Sequence, residues 1–225
     1  MARADFVVPD LAADRARALA LTPVSRETTR RLDRFVELLL SRQRITNLIS
    51  SSTIPHLWTR HIADSLQLLD LASAAQVWVD VGTGGGFPGL VIACALADQP
   101  GAAVHLIESN RKKSSFLREA AQALGVPATV HGVRVEDFAK TGFQGRVDVV
   151  SARALAPLKS LITLCFPLLR KNGVTGLFPK GQNAELELGE AANSWEMKVE
   201  LVPSRTDPAG LIVVIRDLAR DKATP

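Results

Sequence analysis

Tyrosine is missing from the 225 residues, and cysteine and methionine occur only twice each. Cys94 and Cys165 stand 71 positions apart inside apolar stretches, so neither a disulfide framework nor a cysteine zinc cluster can be assembled from them. A reducing compartment suits such a chain. Long apolar runs are missing too. None reaches the length of a membrane span, and Asp5, Pro9, Asp10 and Asp14 interrupt the segment where a secretory leader would need an apolar core. The expectation is a soluble, cytoplasmic protein with no membrane attachment, no metal centre and no stable protein partner implied.

What is present is a globular mixture, 47% apolar and 22% charged, which excludes disordered and collagen-like chains. The 27 Lys+Arg against 23 Asp+Glu leave a net charge of +4. No internal repeat or low-complexity tract appears. The length predicts one α/β domain, residues 71–225, preceded by a helical extension, residues 1–70, packed on it.

From Val77 onward, short β-branched runs alternate with helical patterns, the sign of βαβ units and a largely parallel sheet. Seven strands are predicted, at Val77–Val81, Val104–Ile107, Thr129–His131, Val147–Ser151, Val174–Phe178, Met197–Val202 and Leu211–Ile215. Helices are predicted at Pro88–Ala97, Lys112–Leu124, Pro157–Leu169 and Ala184–Ala192, with Pro88 and Pro157 at first-turn positions and Gly125 and Gly173 as stops. The last two strands are joined by Pro203–Ala209, too short for a crossover helix, so that pair should be antiparallel. Before Val77 two or three helices are expected. Leu32, Phe35, Val36 and Leu39 recur at helical spacing after the candidate N-cap Ser25, and Ile62, Leu66 and Leu69 do so after Pro55.

Charge is concentrated in that extension. Between Arg15 and Arg60 stand nine arginines against Glu27, Asp33 and Glu37, a local excess of +6. The planar, bidentate guanidinium suits phosphate, so the group reads as a nucleic-acid face; a solvated helix face laced with ion pairs is the plainer alternative.

The most informative stretch runs from Asp80 to Gly89, between the first strand and its helix, with five glycines in the eight positions from Gly82. It parses as the dinucleotide fingerprint from Gly84, or as the acid-flanked Asp80-x-Gly82-x-Gly84-x-Gly86 loop of class I S-adenosylmethionine methyltransferases. Charge separates them. A pyrophosphate would meet the Asp80 carboxylate with repulsion, whereas the amino group and sulfonium of S-adenosylmethionine would be attracted. Glu108 ends the second strand, where an acid can accept the hydroxyl hydrogens of an adenosine ribose. Beyond the third strand, Val135 and Glu136 offer an apolar face and an acceptor to an adenine.

The acceptor is narrowed by what is missing. Ser151-Ala152-Arg153-Ala154 follows the fourth strand, in place of the Asn/Asp-Pro-Pro-aromatic pattern of exocyclic-amine methyltransferases. Cys165 sits among Leu and Phe, which suits a core residue rather than a nucleophile for cytosine C5. A ring nitrogen such as guanine N7 already presents an in-plane lone pair, so transfer to it needs alignment but no catalytic acid, base or covalent residue. With tyrosine absent, stacking on a base would fall to Phe87, Trp58, Phe178 or arginine planes.

Taken together, Asn47-Leu48-Ile49-Ser50, Arg60-His61-x-x-Asp64-Ser65, Asp80–Gly89, Ser151-Ala152-Arg153-Ala154 and Lys180-Gly181 resemble the bacterial small-subunit ribosomal RNA 7-methylguanosine methyltransferases, the glucose-inhibited division protein B family. The similarity spans about Arg26 to Arg216. It implies a class I methyltransferase fold of the Rossmann-like type with an N-terminal helical extension and S-adenosylmethionine as donor. The acceptor it implies is a guanine in the decoding region of 16S rRNA, met as rRNA or as the small subunit. The family's donor site falls on Gly82, Phe87, Val135, Glu136 and Arg153. Asp80, Gly84, Gly86 and Glu108 join it from the loop argument, and Asn47, Arg60, His61, Asp64 and Lys180 are the candidate substrate contacts. Two departures stand out, Ile49 in place of the family's usual Thr and Ala209-Gly210 in place of a polar pair. A nicotinamide-dependent oxidoreductase and a non-catalytic RNA-binding factor are the alternative readings.

Overall fold

A computed structural model describes residues 9–140, 143 and 145–220, so the ends of the extension and of the main domain, 1–8 and 221–225, lie outside the described residues. Seven strands make one sheet in the order β3-β2-β1-β4-β5-β7-β6: β1 (Val77–Val81), β2 (Ala103–Ile107), β3 (Ala128–His131), β4 (Val149–Ser151), β5 (Thr175–Lys180), β6 (Trp195–Pro203) and β7 (Leu211–Arg220). The first five run parallel, and β7 lies antiparallel between β5 and β6, as the short Pro203–Ala209 connection requires.

Successive strand residues serve opposite faces. Trp78, Leu106, Val149, Leu177 and Val214 join one apolar cluster, and Val79, Ile107, Val150, Phe178 and Val213 join the other. Both faces are covered, which is why the central strands read as largely apolar runs, broken at Asp80 of β1 and His105 of β2. The first face takes α4 (Gly89–Leu96), α5 (Arg111–Leu124) and the extension; the second takes α6 (Val135–Lys140), α7 (Leu158–Leu169) and α8 (Ala184–Ala192).

The extension starts with α1 (Ala12–Leu21) and α2 (Arg26–Gln43). The Ser25 hydroxyl accepts from the Thr28 N–H at 3.1 Å and caps α2, whose Leu32, Phe35 and Leu39 are fully buried at its helical spacing. The next segment is irregular. A 3₁₀ turn (Ser51–His56), a π-helical turn (Trp58–Ala63), the single turn α3 (Asp64–Leu66) and another 3₁₀ turn (Gln67–Ala72) follow one another. Asp14 of α1 fixes where the π turn begins: its buried carboxylate accepts the N–H groups of Trp58 at 2.8 Å and Thr59 at 3.2 Å, and the Thr59 hydroxyl. These are donors that a helix start leaves orphaned.

Pro88 and Pro157 stand one position outside their helices, as N-caps rather than first-turn residues, and α7 ends before the Gly173 turn. Gly125 closes α5 in the left-handed region at φ 61°.

Candidate functional site

The glycine loop leaves the carboxyl end of β1, next to the point where the strand order turns back on itself, the place where open α/β sheets bind ligands. Gly82, Gly84 and Gly86 all have positive φ (69°, 59° and 104°), which L side chains rarely adopt. Around Gly84 the loop is open: the nearest atom to an added Cβ is the Gly82 carbonyl oxygen at 3.8 Å. Glu108 spans the loop and the start of α5. One of its carboxylate oxygens accepts the Gly84 N–H at 3.0 Å and the other accepts the Asn110 N–H at 2.7 Å.

Asp80, near the end of β1, lies beneath the loop. Its side chain is fully buried rather than turned to a ligand. One oxygen accepts the Gly89 N–H at the start of α4 at 2.9 Å, and the other accepts the hydroxyl of Ser151, its cross-strand partner on β4, at 2.8 Å. Burial pushes its carboxyl upward, with the hydrogen bonds from Ser151 and Gly89 and the charge of Arg153 opposing. Asp80 therefore shapes the loop and fills the anion seat at the head of α4 from inside. Gly89 and Ser151 are the partners that sequence reasoning left out; the Gly89 spacing was visible, the Ser151 register was not.

Phe87 is also buried. Its ring packs against Phe35 (centroids 5.3 Å apart) and His61 (4.9 Å), and the Arg153 guanidinium lies over it at 5.3 Å. Trp58 and Phe178 are buried as well, so none of the three rings expected to stack on a base is at the surface. Val135 and Glu136 open α6, Val135 packed against the second cluster and Glu136 exposed.

Arg153 gathers the extension onto the main domain. It donates to the Arg60 carbonyl at 2.8 Å, to Asp64 Oδ2 at 3.1 Å and to His61 Nδ1 at 2.6 Å. Because a guanidinium can only donate, His61 Nδ1 must be the bare nitrogen, and Nε2–H is left to donate to the Thr53 hydroxyl at 2.8 Å. Burial, with Arg153 and Arg60 adding to it, brings the His61 pKa down to about 3, so the ring is neutral.

These side chains line a cleft of about 550 Å³ that continues over the ends of β4 and β5 to Lys180 and to the β6–β7 turn. Arg60, His61, Asp64 and Lys180 are thus brought together, with Arg153; Asn47 is not in the wall. Asn47 is exposed and accepts from Gln43 at 3.2 Å, while its neighbours Leu48 and Ile49 cover Gly85. Leu155 joins the cleft to the loop. It is a wall residue, and its side chain lies so close over Gly82 that an added Cβ would be 2.7 Å from Cδ1.

The arginines of the extension divide. Arg15, Arg31, Arg34, Arg42 and Arg60 are ion-paired, Arg31 with Asp98 and Arg42 with Glu119, which dock α2 onto the main domain. Arg17, Arg26 and Arg30 are exposed. Among the described residues no group of three or more His, Cys, Asp or Glu could hold a metal ion, and no helix is long and apolar enough to cross a membrane.

A seven-stranded sheet ending in an antiparallel pair, with a glycine loop after β1 and an acid after β2, defines the class I methyltransferase fold. Solved structures agree on it. The S-adenosylhomocysteine-bound Podospora anserina methyltransferase PaMTH1 has a TM-score of 0.64 at 14% identity, covering 96% of this chain and 99% of that one. Cofactor-bound Rv0187 from MTB has a TM-score of 0.60 at 16% identity, covering 95% and 99%. The sequence narrows the class further. The family model described as rRNA small subunit methyltransferase G matches residues 28–208. The ribosomal RNA small subunit methyltransferase G of Bradyrhizobium sp. (strain ORS 278) is 56% identical over 94% of each chain, and that of Nitrobacter hamburgensis 52% identical over 96% of this chain and 83% of the relative. The chain belongs to the rRNA small subunit methyltransferase G family.

Proposed function

We propose that this protein transfers the methyl group of S-adenosylmethionine to N7 of a guanine in the decoding region of 16S ribosomal RNA, in the cytoplasm. The observation that carries the donor is the Asp80 carboxylate on the Gly89 N–H. In nucleotide-binding sheets the head of this helix holds phosphate. Here a buried carboxylate already occupies it, which disfavours a nicotinamide dinucleotide and suits a ligand without phosphate.

The residues present fit such a donor. Gly82, Gly84 and Gly86 keep the loop free of side chains, Glu108 supplies an acid at the end of β2, and Val135 and Glu136 follow β3 on the same edge. Phe87 and Arg153 close the side toward the cleft. When bound, S-adenosylmethionine supplies an electrophilic methyl group on its sulfonium.

The acceptor belongs over β4 and β5, in the cleft that Leu155 joins to the loop. Among the described residues of that wall, each group that could take up a proton is bridged to a cation. His61 gives its lone pair to Arg153, and Asp64, Asp207 and Glu187 are paired with Arg153, Arg60 and Lys180; Cys165, outside the wall, is buried with its thiol pushed up to about 12. Such a wall suits an atom that already has a lone pair, as guanine N7 does. Its work is then alignment and exclusion of water. A guanine inside a duplex would have to leave its stack to enter, at a cost of about a few kcal/mol.

The test is transfer of a labelled methyl group to small-subunit RNA from cells lacking the enzyme, followed by mapping. The expected product is 7-methylguanosine at one position. Label on a ribose, an exocyclic amine or a cytosine carbon, or no turnover, would overturn the reading.

A further inference from the structure

The cleft is charge-balanced. Arg60, Arg153 and Lys180 are its cations, Asp207, Asp64 and Glu187 its carboxylates, and each cation is bridged to one of them. A phosphate entering there would displace an internal carboxylate and meet the other two, so the cleft is built for a neutral group. The pair at its far side is the most confined. Lys180 and Glu187 have side chains only 9% and 26% exposed. The Lys180 ammonium donates to the Ala156 carbonyl at 2.8 Å and to Glu187 Oε2 at 2.8 Å, which leaves one of its three hydrogens. Glu187 Oε2 also accepts the Leu158 N–H at 2.7 Å. Both of those bonds fall on the same oxygen, and Oε1 has no protein donor among the described residues. The pair thus offers one spare donor beside one spare acceptor.

We propose that Lys180 and Glu187 read the edge of the acceptor base, Lys180 donating to O6 of guanine and Glu187 accepting from its N1–H. This rests on the reading of the protein as a guanine-N7 methyltransferase. On guanine the O6 acceptor stands directly beside the N1–H donor, which matches the order of the pair. Adenine reverses both groups, an amino group at C6 and a bare N1, and would set donor against donor and acceptor against acceptor. N7 lies on the far side of O6 from N1, so a guanine held this way keeps the N7 lone pair clear of the pair. Lys180 on O6 rather than on phosphate also agrees with its neutralisation by Glu187. The pull of Lys180 and Leu158 outweighs the burial of Glu187 and holds its carboxyl below the usual range, so it stays an acceptor.

The experiment uses the full chain and small-subunit RNA carrying guanosine, inosine or 2,6-diaminopurine at the mapped acceptor position. Inosine keeps O6 and N1–H and should remain a substrate. Diaminopurine has an amino group at C6 and a bare N1, and should be rejected. Glu187→Gln should lower kcat/KM on guanosine at least about tenfold and narrow the gap to diaminopurine, with S-adenosylmethionine affinity unchanged. Three results would overturn the assignment: wild-type enzyme accepting diaminopurine as readily as guanosine, Glu187→Gln with unaltered kcat/KM and base preference, or loss of donor affinity in step with activity. The last would make Glu187 a prop for α7 alone. If the wild type forms no 7-methylguanosine at all, the functional reading itself fails, whatever the variant does.

Discussion

Replacing Gly89 by alanine drives a methyl group into the tightest contact of the donor loop. The added Cβ would sit 2.3 Å from Leu106 Cδ2 and 2.7 Å from both Cβ and Oδ2 of Asp80, all buried. None is the loose end of an exposed side chain, so α4 must move off β1, taking the Gly89 N–H away from Asp80. Overpacking a filled core costs about 1–3 kcal/mol, and depriving a buried acceptor of its donor about 1–3 kcal/mol, together about 2–6 kcal/mol. At about 2–4 °C per kcal/mol for a chain of this size, melting should fall by roughly 4–24 °C. Because the same hydrogen bond shapes the loop, S-adenosylmethionine affinity should fall even at temperatures where the variant is folded. Differential scanning calorimetry and titration calorimetry on one preparation read both quantities. A variant that melts within about 2 °C of wild type, or that melts lower yet binds the donor as well as wild type, would refute the coupling of Asp80, Gly89 and the loop.

His61, with its pKa brought down to about 3 from the ordinary 6.5, binds fewer protons folded than unfolded between those values. Stability should therefore be full above about pH 6.5 and be lost as pH falls toward 3, and His61→Gln should flatten that slope in urea titrations at stepped pH. An unchanged slope would show His61 titrating normally in the fold. The thiols of Cys94 and Cys165, both buried and pushed up to about 12, should resist alkylation at about pH 8 until the protein is unfolded; rapid labelling of native protein would contradict their burial. Arg26 and Arg30 share one exposed face of α2, and their double reversal to Glu should reduce the salt slope of RNA binding by about 0.7 for each phosphate they neutralise. Arg31→Glu, which breaks the bridge to Asp98, should lower the melting temperature instead. Equal salt slopes in wild type and the α2 variant would remove that face from the RNA path.

The strands were legible because both faces of the central sheet are covered and their β-branched runs are interrupted only at single positions such as Asp80 and His105, and the β6–β7 reversal followed from the length of its connection. Boundaries were less so: β4 starts at Val149 rather than Val147, after Asp148, whose side chain accepts the Gln76 and Val77 N–H groups. Six-residue α6 is too short to show a period. The π turn at Trp58–Ala63 is fixed by Asp14 from another helix, which no local pattern can report. The same limit applies to the site. Glycines that need positive φ and the acid after β2 announce themselves locally, whereas the inward turn of Asp80 depends on Ser151 across the sheet, and Glu187 depends on Lys180 and Leu158 on other elements. The arginine excess was visible as charge, but its division into docking pairs and exposed cations is set by where Asp98 and Glu119 lie.

The proposed donor site centres on the glycine loop, where the Asp80 side chain holds the Gly89 N–H at the head of α4. Titration calorimetry of the wild type and Gly84→Asp with S-adenosylmethionine and with NAD tests this most directly. Wild type should bind S-adenosylmethionine and not NAD, and a side chain at Gly84, strained at φ 59° and filling the space open to the ligand, should abolish donor binding. Tight NAD binding by the wild type, or a Gly84→Asp variant that binds S-adenosylmethionine undiminished, would contradict it.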